Sequence, residues 1–155
     1  MRAARVQDER MNDYALTPEG LKQRKAELLT LRERRARVSD DGTIRDREKV
    51  ILEGRIATLE ELLDEAWIVD HATIEPGVVA IGTHIELRDV DTSRSERYRV
   101  VGKHEPLRPG ELSAASAVGR ALLGRRVGET VSVELPNGHA RRFEVVSADP
   151  GPPNP

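Results

Sequence analysis

Four acidic residues lie close together in the N-terminal half of the chain: Asp40, Asp41, Asp46 and Glu48. Hard cations such as Mg²⁺ take carboxylate oxygens as ligands and keep open positions for water. Asp40 and Asp41 at the end of a rigid element could therefore be catalytic, as metal ligands that help to complete a Mg²⁺ site in a partner. The competing interpretation is structural, because Asp-Asp-Gly is common turn chemistry and Asp46 stands where a helix cap is expected.

No other pattern in the sequence is typical of a reactive centre. His71, His84, His104 and His139 share no ligand spacing, and the absence of cysteine removes thiolate metal sites, disulfides and Cys nucleophiles. No Ser, His and Asp arrangement is readable. We therefore expect a regulator or adaptor rather than an enzyme, with no cofactor of its own.

The acids stand in a short turn between two predicted helices. Thr17 caps the first, Pro18 fits its first position, and Glu19 favours the positive end of the helix dipole. From 17 to 38 there are seven Lys/Arg and three Glu, so this helix is about +4. Its apolar residues are spaced by seven, as in a coiled-coil seam: Leu21 and Leu28, Leu31 and Val38.

The second helix is predicted to start at Thr43, with Asp46 in a capping-box position. From 40 to 70 there are ten Asp/Glu and four Lys/Arg, about −6, which complements the first helix. Residues 14–70 therefore predict an antiparallel coiled-coil hairpin, roughly 33 to 37 Å long at about 1.5 Å per residue. The apolar residues of the second helix form two rows, with Leu52, Leu59 and Ala66 in one and Ile56 and Leu63 in the other.

After a linker at 71–77 the apolar period changes from 3.6 to 2, which indicates strands. Ser116 is predicted to cap a short helix that Gly124 closes, and Asn137-Gly138 is a strong hairpin turn. The fold class is therefore α+β: a helical hairpin followed by an antiparallel sheet with one short helix, at 71–148. Strands are predicted at 78–81, 83–90, 97–101, 130–135 and 141–147, and flexible tails at 1–13 and 149–155.

Composition limits the kinds of partner. The formal net charge of −2 argues against binding to free DNA, which needs a strongly basic face. The N-terminus has no apolar run typical of a signal peptide, and no apolar stretch approaches the roughly 20 residues that span a bilayer. We expect a cytoplasmic protein without membrane contact.

Several segments resemble the Gre family of bacterial transcription elongation factors, in collinear order over about residues 14–148. The resemblance lies in GTHIELRDVDTSRSERYRVVG at 82–102, LSAASAVGRALLG at 112–124, VGE at 127–129, LPNG at 135–138, LTPEGL at 16–21 and EGRI at 53–56. It implies an N-terminal coiled coil and an FKBP-like C-terminal domain that docks at the secondary channel of RNA polymerase. In this family the coiled coil enters the channel, and acidic residues at its tip hold Mg²⁺ and water that cleave backtracked RNA.

The hairpin departs from the cleavage-competent pattern. It is short, and Ile44 rather than Glu follows Asp41 by three residues. It is in this respect similar to the Rnk branch and to non-cleaving Gre homologues, which implies a polymerase-binding regulator that occupies the channel. The alternatives are a cleavage-stimulating factor that uses Asp40 and Asp41, with a shared Mg²⁺ and indirect contact with nascent RNA, and a generic protein-interaction module. The candidate polymerase contacts are Ser116, Arg120, Arg125 and Arg126; the plainer interpretation of the arginines is a solvated face.

Overall fold

A computed structural model describes residues 12–38 and 43–151 of the chain; at residues 43 and 44 it describes only the backbone. The N-terminal part consists of strand β1 (Ala15–Leu16), helix α1 (Pro18–Arg37), helix α2 (Thr43–Glu65) and strand β2 (Trp67–Ile68). A 3₁₀ turn (His71–Thr73) leads to β3 (His84–Asp89), β4 (Ser95–Val101), β5 (Glu111–Ser113), helix α3 (Ala117–Leu122), β6 (Thr130–Glu134) and β7 (Ala140–Asp149). The predicted α+β class is confirmed.

The two long helices form the predicted hairpin. Thr17 caps α1 by accepting a hydrogen bond from the backbone N–H of Gly20 at 3.1 Å. Ion pairs join Arg34 to Glu48 and Arg55 to Glu27, so the helices run antiparallel. The seam buries Leu28, Leu31, Leu52 and Leu59 against the partly buried Val38, Ile56 and Leu63. Each fully buried leucine stabilises the hairpin by about 1.5–3 kcal/mol, so the seam supplies more than the exposed ion pairs.

The C-terminal part is a five-stranded sheet in the order β5-β4-β3-β7-β6. The pairs β4·β3, β3·β7 and β7·β6 are antiparallel, whereas β5 pairs with β4 in parallel. In β3 the inward residues Ile85 and Leu87 alternate with more exposed neighbours, as a one-sided sheet requires. These residues pack with Val100, Val145 and Leu122 of α3 into the main apolar core.

One predicted strand is absent from the structure, and the sequence missed the short strands β1, β2 and β5. Residues 78–81 form no regular strand: Val78 makes an isolated bridge with Arg126, and Val79 donates to the carbonyl of Arg125 at 2.8 Å. The run of apolar residues at 78–81 reflects the burial of these side chains, not a regular strand. The three-residue β5 was not predicted, and its parallel pairing with β4 makes the predicted antiparallel sheet a mixed one.

The terminal predictions are only partly covered. Residues 1–11, 39–42 and 152–155 lie outside the described part of the chain, which includes most of both predicted tails. Within the described part, β7 continues to Asp149, where the sequence suggested that a tail begins. None of the helices in that part combines the length and the apolar character needed to cross a membrane.

Candidate functional site

The candidate tip acids Asp40 and Asp41 lie in the segment between α1 and α2, outside the described residues. Of the neighbouring acids, Asp46 is exposed in the first turn of α2, and Glu48 accepts hydrogen bonds from Arg34 at 2.7 and 3.0 Å. Among residues 12–38 and 43–151 no group of three or more His, Cys, Asp or Glu could hold a metal ion. The metal role of Asp40 and Asp41 therefore stays a prediction.

The base of the hairpin is tied to the sheet domain by Glu105. Its carboxylate accepts hydrogen bonds from the Thr17 backbone N–H at 3.2 Å, from the Thr17 hydroxyl, and from the backbone N–H of Gly102 at 2.5 Å. Thr17 is 0% exposed, so water does not satisfy these donors in its place. One side chain of the sheet domain thus fixes the N-cap residue of α1, at the base of the hairpin.

Two glycines allow this close approach. A Cβ on Gly102 would lie 2.0 Å from the backbone oxygen of Ala15, and a Cβ on Gly20 would lie 1.9 Å from a carboxylate oxygen of Glu105. Heavy atoms do not approach so closely, so a side chain at Gly102 would push β1 away from the sheet domain. We call the contacts of the 102–105 loop with residues 13–24 the junction.

A second set of contacts in the junction holds the second turn of α1. The Arg24 guanidinium donates to the backbone oxygen of His104, with the Nε atom at 2.6 Å. The His104 ring stacks on Tyr14 with ring centres 6.0 Å apart. Burial, with the nearby charges of Lys103 and Arg24, lowers the pKa of His104. The imidazole is therefore held more firmly in its neutral form, which suits stacking beside two cations.

Ion pairs reinforce the junction at its margins. Arg99 of β4 donates to Glu19 of α1 at 2.5 Å, and Lys103 lies 3.5 Å from Asp13. Burial acts to raise the pKa of Glu19, but the hydrogen bond from Arg99, a backbone hydrogen bond and the nearby positive charges together lower that pKa. Behind these pairs, β1 and β2 join in parallel, with Ala15 opposite Trp67 and Leu16 opposite Ile68. Sequence reasoning missed the junction, because Thr17 and Glu105 are 88 residues apart.

The candidate contacts on α3 separate into structural and exposed groups. Ser116 caps α3, since its Oγ accepts from Gly119 N at 3.0 Å and donates to the Ser113 carbonyl at 2.7 Å. Arg120 is exposed on the helix. Ser116 thus has a sufficient role in the fold, whereas Arg120 presents its charge to the solvent.

The other two arginines flank an exposed apolar residue. Arg125 donates to the Ala121 carbonyl at 3.2 Å, and Arg126 pairs with Glu75 at 3.1 Å while 64% of its side chain stays exposed. Next to them Val127 is 47% exposed. Protein interfaces combine an apolar core with enriched arginine. We call Arg120, Arg125, Arg126 and Val127 the arginine patch; the sequence indicated its charges but not Val127.

Comparison with known proteins identifies the family. A family model for the C-terminal part of transcription elongation factors GreA and GreB matches residues 74–150. The GreA of Rhodospirillum rubrum is 32% identical over 153 residues, covering 87% of this chain and 96% of that protein. The GreA of Acidiphilium cryptum is 38% identical over 104 residues, 66% of this chain and 65% of that relative. The solved structure of GreA factor homolog 1 (Gfh1) from Thermus thermophilus is 32% identical, with coverages of 86% and 97% and a TM-score of 0.39. The chain belongs to the GreA/GreB family of transcription elongation factors.

Proposed function

We propose that this protein binds bacterial RNA polymerase through its sheet domain, at the rim of the secondary channel, and places its short helical hairpin in that channel. It would act in the cytoplasm as a regulator rather than as an enzyme. Family membership supports the partner, and the junction is the observation that carries the mode of action. A hairpin whose first helix is fixed at its N-cap by Glu105 keeps one direction relative to the domain that docks.

The arginine patch is the proposed docking surface. Its guanidinium groups can form paired hydrogen bonds with acidic side chains of the polymerase, and Val127 supplies an apolar contact. The test is a pull-down of core polymerase at modest salt with the double variant Arg125→Glu, Arg126→Glu. We expect at least about a tenfold loss of binding, because like charges then face the acidic partner.

The control for this test is Arg94→Glu, which reverses one charge at an exposed arginine in the turn between β3 and β4. It changes charge in the same direction and should retain binding. Equal binding by the patch variant, the control and the wild type would remove the arginine patch as the docking surface. If the wild type does not bind, the polymerase proposal is wrong, and the alternative of a generic protein-interaction module is favoured.

We propose that the hairpin acts by occupying the channel. With 20 and 23 residues in its helices, it is about 30–35 Å long at about 1.5 Å per residue. A backtracked elongation complex with Mg²⁺ tests the proposal against the cleavage alternative. We expect RNA shortening at the rate of polymerase alone, together with altered pausing. Faster shortening that Asp41→Ala abolishes would instead show that the tip acids share the Mg²⁺ of the polymerase.

A further inference from the structure

The outer face of α2, opposite the seam, carries a regular row of exposed residues. The row is centred on Gly54, and its other members stand three, four and seven positions before and after that residue, so all of them share one face of the helix. Val50 and Ile51 are 67% and 63% exposed and, with Asp46 and Arg47, line a shallow surface groove. We call this row the outer face: Arg47, Val50, Ile51, Gly54, Ala57, Thr58 and Glu61, all exposed.

Gly54 has no steric reason within the described chain. It lies midway along the 23-residue helix α2, where glycine costs about 1 kcal/mol relative to alanine. A Cβ built on Gly54 meets nothing within 4 Å, in contrast to Gly20, Gly102 and Gly119. The small residue therefore leaves room for a backbone that approaches from outside the chain.

The outer face is complementary to itself under a two-fold rotation. If a second copy of α2 crosses antiparallel at Gly54, Arg47 meets the partner's Glu61, and Glu61 meets the partner's Arg47. In the same register Val50 meets the partner's Thr58, and Ile51 meets the partner's Ala57, so each large side chain faces a small one. The Thr58 hydroxyl donates to the Gly54 carbonyl at 3.0 Å within its own helix, which leaves its methyl group for apolar contact.

We propose that the outer face of α2 is a homodimer interface, in which two copies of this chain cross antiparallel at Gly54. The charges favour a second copy over an unrelated partner, because one face carries both members of each ion pair. Within the described residues, Arg47 and Glu61 form no ion pair or side-chain hydrogen bond, so both are available. An isologous contact of this kind closes on itself and does not lead to filaments.

The position of Gly54 also makes the arrangement sterically feasible. Because the crossing lies at the middle of α2 and the helices are antiparallel, the two sheet domains lie at opposite ends of the pair. A single helix crossing buries less than a standard interface, so we expect weak, concentration-dependent association. The dimer does not depend on the proposed function. If the hairpin enters the polymerase channel, however, the dimer and the polymerase complex exclude each other.

Sedimentation velocity of the full chain, from about 10 μM to about 1 mM, tests the proposal in the range expected of a small interface. We expect a monomer–dimer equilibrium in the wild type. Arg47→Glu or Glu61→Arg should each raise the dimer dissociation constant at least about tenfold, because each places two like-charge contacts in the interface. The double variant, Arg47→Glu with Glu61→Arg, should restore dimerisation, and the control Lys25→Glu on α1 should leave it unchanged.

Crosslinking gives a second test, since the chain has no cysteine. Gly54→Cys should form a disulfide-linked dimer on mild oxidation, because the crossing brings the two Cα atoms within the roughly 4.4–6.8 Å that a disulfide needs. Ala26→Cys on the exposed side of α1 should stay monomeric. A wild type that remains monomeric at every concentration, or a charge-swapped double variant that does not recover, overturns the proposal. If the wild type is monomeric and its Arg47→Glu variant loses polymerase binding, the outer face contacts the polymerase instead. That result also overturns the proposal.

Discussion

Glu105→Ala tests the junction most directly. The substitution removes the acceptor of three hydrogen bonds, from the Thr17 N–H and hydroxyl and from the Gly102 N–H. Hydrogen bonds to a charged group contribute about 1.5–3 kcal/mol each, and an orphaned buried donor costs about 1–3 kcal/mol. Since Glu105 is only half-buried, water can enter and satisfy part of what is lost. We therefore expect the free energy of unfolding to fall by about 3 kcal/mol.

The control is Glu129→Ala. Glu129 accepts from the backbone N–H of Arg126 at 2.9 Å, three residues before it, as Glu105 accepts from Gly102. Its side chain is exposed and, among the described residues, bonds to no second element, so its loss should cost less than about 1 kcal/mol. The difference between the two variants isolates the contacts to Thr17 from the local turn.

Urea unfolding followed by tryptophan fluorescence measures both variants. The single tryptophan, Trp67, donates its backbone N–H to the Tyr14 carbonyl at 3.1 Å, so it lies beside the junction. Glu105→Gln retains one acceptor oxygen and should fall between the wild type and Glu105→Ala. Equal losses of stability for Glu105→Ala and Glu129→Ala would refute the reasoning, because the contacts to Thr17 would then contribute nothing.

Further predictions concern the close approach, the seam and the buried carboxylate. Gly102→Ala should lower the free energy of unfolding by about 1–3 kcal/mol through overpacking and shift tryptophan fluorescence; an unchanged spectrum would contradict it. Leu52→Ala, at 3% exposure, should cost about 2–5 kcal/mol in thermal unfolding, whereas Leu29→Ala, at 60% exposure, should cost far less. The hydrogen bond from Arg141 lowers the pKa of Asp89 below its usual 3.8, so this carboxylate stabilises the fold above that pH and ceases to do so in stronger acid. Asp89→Asn should therefore lower the urea midpoint at pH 7 and approach the wild type as the pH falls below 3.8; a gap that persists in acid would refute this.

Features set by neighbouring residues were predictable from the sequence. The Thr17 and Ser116 caps, the seam leucines and the Asn137 turn each depend on residues a few positions apart, and the structure confirms them. The α+β class followed from the change of apolar period. Local chemistry of this kind repeats across proteins, which is why a pattern can be read without coordinates.

Features that join distant segments were not predictable in the same way. The bond from Thr17 to Glu105 and the parallel pairing of β1 with β2 link residues with no periodic relation. In the sequence Glu105 is one acidic residue beside a proline, and no local pattern distinguishes it from a surface glutamate. The exposed Val127 also needed the structure, because its burial depends on what packs beside it.

The narrow base of the hairpin has a mechanical consequence. Packed helices lie about 8–10 Å apart, whereas the 20 residues of α1 extend about 30 Å. The hairpin is therefore about three times as long as its base is wide, so an axial shift of one helix by about 1 Å at the base tilts the hairpin and moves its tip by about 3 Å. Residues that never approach the tip, Glu105 and Gly102 foremost, thus set the precision with which it is aimed.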